Sequence, residues 1–89
     1  MNKNIVLRHK SGVRAREVDN ELVILDRDNG NINKLNQSAC FIWSLLDGTK
    51  TVGQVEQALI KEYDIDLETA ATDVESVVRR LQELGLLEQ

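Results

Sequence analysis

Apolar positions change their spacing along this chain, and each change marks a new element. From Val13 to Val18 (Val-Arg-Ala-Arg-Glu-Val) apolar and polar residues alternate for most of the run, which predicts a strand with one wet face. Glu21 to Asp26 (Glu-Leu-Val-Ile-Leu-Asp) sets four consecutive apolar residues between acids, so it reads as the central strand of a small sheet. Asn31 to Leu35 (Asn-Ile-Asn-Lys-Leu) is a third, more polar strand. Asp19-Asn20 makes a tight turn, and Arg27-Asp28-Asn29-Gly30 a second, with Asn-Gly supplying positive φ. The result is an antiparallel meander whose third strand keeps a free edge unless something covers it.

The period then switches to that of a helix. Asn36 reads as an N-cap for a first helix from Gln37 to Asp47, stopped by Gly48 at C′. Its apolar residues (Ala39, Phe41, Ile42, Trp43, Leu45 and Leu46) cover nearly the whole circumference and predict burial on several sides. Thr51 and Gln54 fit a capping box for a second helix, from Val52 to Tyr63, with Val52, Val55 and Leu59 as its stripe. Asp66 caps a third helix from Leu67 to Leu84, with Gly85 at C′. Its apolar set includes Leu67, Ala70, Val74, Val77, Val78, Leu81 and Leu84, a period near 3.6. Leu86 and Leu87 are expected to fold back onto the core. The expected fold class is therefore α+β: a three-stranded antiparallel sheet followed by three helices, laid out like a winged helix-turn-helix.

Composition narrows the function classes. At 89 residues the chain makes one domain, and with aromatics at 3% its core must be built from Leu, Ile, Val and Ala. The run Ile5-Val6-Leu7 is too short for a secretion signal, and no stretch suits a membrane span, so the cytoplasm is the expected location. The net charge is −4, yet residues 1–16 hold Lys3, Arg8, Lys10, Arg14 and Arg16 and no acid. Residues 1–12 read as a basic, mobile N-terminal arm ahead of a domain at 13–89.

Candidate chemistry is sparse. One cysteine (Cys40) and one histidine (His9) cannot close a zinc site, and Cys40 reads as a buried thiol inside the first helix. His9 falls in the arm, where a solvated side chain is expected. Trp43, among Ile42, Leu45 and Leu46, reads as core rather than as a stacking platform. Asp26, Asp28 and Asn29 lack the spacing of a calcium loop and read as a turn. No catalytic set, phosphate loop or cofactor motif can be proposed, so neither enzyme activity nor a cofactor is expected.

One ordered series of short motifs is specific. Gly30-Asn31-Ile32 leads to Leu35-Asn36, Ala39, Ile42-Trp43 and Leu45-Leu46-Asp47-Gly48. Thr49, Thr51-Val52, Tyr63, Asp73-Val74 and Leu81-Gln82-Glu83-Leu84-Gly85-Leu86 follow. Over residues 13–87 this resembles the PqqD family, named for pyrroloquinoline quinone biosynthesis protein D. The resemblance implies a non-catalytic recognition element that binds the leader of a ribosomally made precursor peptide. It also implies a modifying enzyme as partner, commonly a radical-SAM enzyme. The leader would add as a strand along Asn31, Ile32, Asn33, Lys34 and Leu35, against a wall of Ser76, Val77, Arg80 and Leu81 on the third helix. Lys34 stands where the family often has an apolar or aromatic residue.

The residues suit that mode independently. Strand addition needs an unpaired edge and apolar pockets beside it, and Asn31 to Leu35 contains no proline to remove a donor. Either Ile32 or Lys34 could direct its N–H at the guest. The second reading is a winged-helix DNA-binding protein, kept open by the basic arm. Against it, the third helix sets Arg79 and Arg80 among Glu68, Asp73, Glu75 and Glu83, so nucleic acid is not the expected partner.

Overall fold

The computed structural model describes residues 2–27 and 30–88. Its strands are β1 (Val6–His9), β2 (Val13–Val18), β3 (Glu21–Asp26), β4 (Asn31–Leu35), β5 (Asp47–Thr51) and β6 (Leu87–Glu88). Its helices are α1 (Gln37–Leu45), α2 (Val52–Tyr63) and α3 (Leu67–Glu83). The meander and the three helices appear in the expected order, and the class is α+β. Asp28 and Asn29, read as part of the second turn, lie outside the described residues.

Two antiparallel sheets form instead of one: β2-β3-β4, and a second with the order β5-β1-β6. The second corrects the sequence reading at the N-terminal end. Residues 1–12 read as an arm, but from Val6 to His9 they are the middle strand of a sheet, and Leu7 is 2% exposed. The folded unit therefore starts well before Val13. The cause is non-local: β1 borrows its partners from distant parts of the chain, Asp47–Thr51 and Leu87–Glu88, so no local period could announce it. Lys3 and Ile5 also use their carbonyls to accept from the N–H groups of Gly53 and Val52, donors that the start of α2 cannot satisfy within the helix.

The caps carry the element boundaries. The Asn36 side chain accepts from Ala39 N–H, and Thr51 with Gln54 completes the capping box. At the end of α3, Leu86 N–H donates to Leu81 O and Gly85 N–H to Gln82 O, a Schellman motif with Gly85 at φ 71°. That motif returns Leu86 to the core, where it is fully buried. The first helix ends earlier than expected, at Leu45, with Leu46 as its cap. Gly48, expected as its C′ residue, instead belongs to β5 at φ 86° beside the Arg8 side chain. Pairing with β1 competes with another helical turn there and wins.

The core joins Leu22 and Ile24 of β3 to Ala39, Ile42 and Trp43 of α1, Val55 and Leu59 of α2, and the α3 stripe Ala70, Val74, Val78 and Leu81. Trp43 is core, as expected. Leu67, expected in that stripe, is exposed at the first turn of α3. Cys40, read as a buried thiol, is only half-buried, and burial pushes its thiol above the ordinary value.

Candidate peptide-binding edge and groove

Residues alternate along a strand in where they aim their backbone N–H and C=O, so the hairpins decide which groups of β4 are left over. The β2–β3 turn consists of Asp19 and Asn20, at φ 51° and 66°, between the paired residues Val18 and Glu21. Two successive positive φ values make a type I′ turn, which closes on a hydrogen-bonded pair. Counting from that pair, Glu21, Val23 and Leu25 aim their polar groups at β2. Leu22, Ile24 and Asp26 then aim theirs at β4, where their partners are Leu35, Asn33 and Asn31. The N–H and C=O groups of Ile32 and Lys34 therefore point away from the sheet. Both residues do so, which answers the question the sequence left open. Among the described residues no strand pairs with that side of β4.

A groove of about 180 Å³ runs beside this edge. Leu35, Ala39 and Val77 provide its apolar lining, and Asn36, Ser76 and Arg80 its polar lining. Among the described residues, Arg80 is the only charged side chain that lines it. Of the expected site residues, the fold brings together Leu35, Ser76, Val77 and Arg80 around the groove and Ile32 and Lys34 along the edge. Asn31 and Asn33 spend their backbone groups on β3.

Leu81 does not belong to the groove. It is fully buried with Val74 and Val78, and the returning chain at Leu86 bonds to its carbonyl. Its helical phase matched the wall, but the Schellman return that buries it lies beyond the helix. Two lining residues escaped the sequence reading. Asn36 was read as a cap alone and does both jobs. Ala39 was read only as an apolar helix position and as one member of the motif series.

The outer face of α3 offers little to a phosphate backbone. Arg79 donates to Glu75 across 2.7 Å, and Glu83 shares the surface with Arg80. Nothing in this arrangement favours the DNA-binding reading. Among the described residues no three His, Cys, Asp or Glu side chains gather as a metal site, and no helix is long and apolar enough to cross a membrane.

His9 is also placed differently from its sequence reading. Its ring stacks on Trp43 and its Nε2–H donates to the Trp43 carbonyl, so it is half-buried rather than solvated. Burial pushes its pKa below the ordinary value, opposed by that hydrogen bond and by Asp47.

Solved structures share this frame. TbiB1 in complex with the TbiA(beta) leader peptide is 30% identical, with a TM-score of 0.79 over 91% of this chain and 94% of that one. A lasso peptide synthetase B1 complexed with the leader peptide is 26% identical, with a TM-score of 0.80 over 96% and 100%. The PqqD truncation of PqqCD from Methylobacterium extorquens, described as a stand-alone RiPP recognition element, is 29% identical, with a TM-score of 0.82 over 99% and 94%. No curated protein sequence matches the chain. The sequence profile of coenzyme PQQ synthesis protein D (PqqD) matches residues 21–87, from the central strand of the meander to the returning strand after α3. The unpaired edge and its groove both lie inside that span, and the chain belongs to the PqqD family.

Proposed function

We propose that this protein captures the leader segment of a ribosomally synthesised precursor peptide as an added strand on β4 and presents it to a modifying enzyme of the radical-SAM type. The observation that carries the reading is the pair of outward-facing residues Ile32 and Lys34, standing beside an apolar groove walled by α3. An antiparallel guest would meet two N–H donors and two C=O acceptors there. Its inward-facing side chains would rest on Leu35, Ala39 and Val77, and an acidic residue would suit Arg80. The protein itself contributes binding and alignment, with the chemistry left to the enzyme, and both partners meet in the cytoplasm.

The magnitudes suit a peptide that must be handed on. About four backbone hydrogen bonds at ~1 kcal/mol each and about three buried apolar side chains at ~2 kcal/mol each total about 10 kcal/mol. Ordering the leader removes about 2–5 kcal/mol. The remainder, about 5–8 kcal/mol, corresponds to binding between roughly a hundred micromolar and a micromolar.

The test is an NMR titration with the leader of a short precursor encoded beside this gene. Amide shifts confined to β4 and α3 are expected. A spectrum unperturbed at millimolar peptide removes the proposal.

A further inference from the structure

A broad concavity lies on the other side of the same sheet. Leu22, Ile24 and Asp26 turn towards the core, so Val23 and Leu25 face outwards. Register places Arg16 and Lys34 on either side of Val23, and Arg14 and Ile32 on either side of Leu25. Arg14, Arg16, Val23, Leu25 and Ile32 form, with Arg27, an open basin of about 670 Å³ that no acid lines among the described residues, and Lys34 stands at its margin. Its floor is apolar, and Ile32, at 66% exposed, is its most open apolar side chain. Among the described residues no ion pair engages Arg14, Arg16, Arg27 or Lys34. Four cations thus share one face of a chain whose net charge is −4.

We infer that this outer face is a second docking surface, for an acidic amphipathic segment of a partner protein. Apolar side chains of the segment would cover Val23, Leu25 and Ile32, while its carboxylates met the arginines. Arginine suits that task because its planar guanidinium pairs with a carboxylate through two parallel hydrogen bonds. A nucleic acid fits less well: among the described residues this face carries no aromatic side chain for a base to stack on. The inference stands apart from the leader proposal, because the basin uses side chains of the outer face while the leader would use the edge and the groove. The two surfaces are adjacent, so both occupants could bind together.

The experiment is an NMR titration with a short peptide of alternating Glu and Leu. Its comparators are the matching Lys–Leu peptide, oligothymidylate and phosphatidylglycerol vesicles. The Glu–Leu peptide should shift the amides of Arg14, Arg16, Val23 and Leu25, and its affinity should fall with added salt. The double variant Arg14→Glu/Arg16→Glu should weaken it by about tenfold or more while the thermal unfolding curve is kept. If that variant fails to fold, Arg27→Glu carries the same test. No binding, equal binding of the Lys–Leu peptide, or shifts elsewhere would overturn the inference. So would oligothymidylate or vesicles binding this face as tightly as the Glu–Leu peptide.

Discussion

The imidazole of His9 lies flat on the indole of Trp43, with ring centres 3.6 Å apart and planes 8° from parallel. The same histidine donates from Nε2 to the Trp43 carbonyl at 2.6 Å, an oxygen that Leu46 N–H also uses at the end of α1. One residue of β1 therefore fastens the second sheet to the end of the first helix. Because a carbonyl can only accept, the neutral ring carries its proton on Nε2.

This contact predicts a pH dependence of stability. Burial lowers the His9 pKa from its ordinary 6.5, so in the window below 6.5 the unfolded chain binds more protons than the folded one. The contribution is complete above 6.5 and is lost as the pH falls from there towards the lowered value. Urea unfolding followed by the fluorescence of Trp43, the single tryptophan, should show a lower midpoint at about pH 5 than at neutral pH. His9→Phe, which keeps a stacked ring but cannot titrate, should flatten the difference. Asp47 and Asp66, held below the usual carboxylate range by hydrogen bonds from Thr49 and Thr69 respectively, lose their contributions only at lower pH.

The orientation of β4 predicts opposite results for neighbouring prolines. Lys34→Pro deletes an outward N–H, so the fold should survive while leader affinity falls about fivefold, the worth of one hydrogen bond at ~1 kcal/mol. Asn33→Pro deletes a donor to β3 and should lower the unfolding midpoint instead. Calorimetric titration and thermal unfolding of the two variants, side by side, separate the effects.

The groove and the core beneath it make a second contrast. Val77 lines the groove and is half-buried, so Val77→Asp should abolish detectable leader binding with only a modest fall in stability. Leu81→Ala leaves a cavity in the core and should cost about 2–5 kcal/mol of stability. Denaturant unfolding and peptide titration on both proteins check the assignment.

β1 should matter to folding more than a terminal segment usually does. Leu7 is buried in the core, and Leu7→Ala should cost about 2–5 kcal/mol, a large share of the ~5–15 kcal/mol that holds a domain of this kind together. Removing residues 2–9 should leave a chain without cooperative unfolding, measured by circular dichroism during a thermal ramp.

Local chemistry was written in the order of the residues. Alternation marked β2, the apolar run marked β3, and Asn36, Thr51–Gln54 and Asp66 marked where helices begin, because a cap or a strand period acts over only a few positions. The Schellman glycine at Gly85 was legible for the same reason. Distance along the chain hid the rest. β1 finds its partners at Asp47–Thr51 and Leu87–Glu88, and that pairing ended α1 early, drew Gly48 into a strand and set His9 on Trp43. The candidate site divides along the same line. The edge strand was readable, but which of its amides face outwards depended on the turn at Asp19-Asn20, in the preceding hairpin, and the exclusion of Leu81 depended on a chain reversal after α3. Periodicity and capping are short-range and survive in a string of letters, whereas pairing between remote segments exists only once the chain has closed on itself.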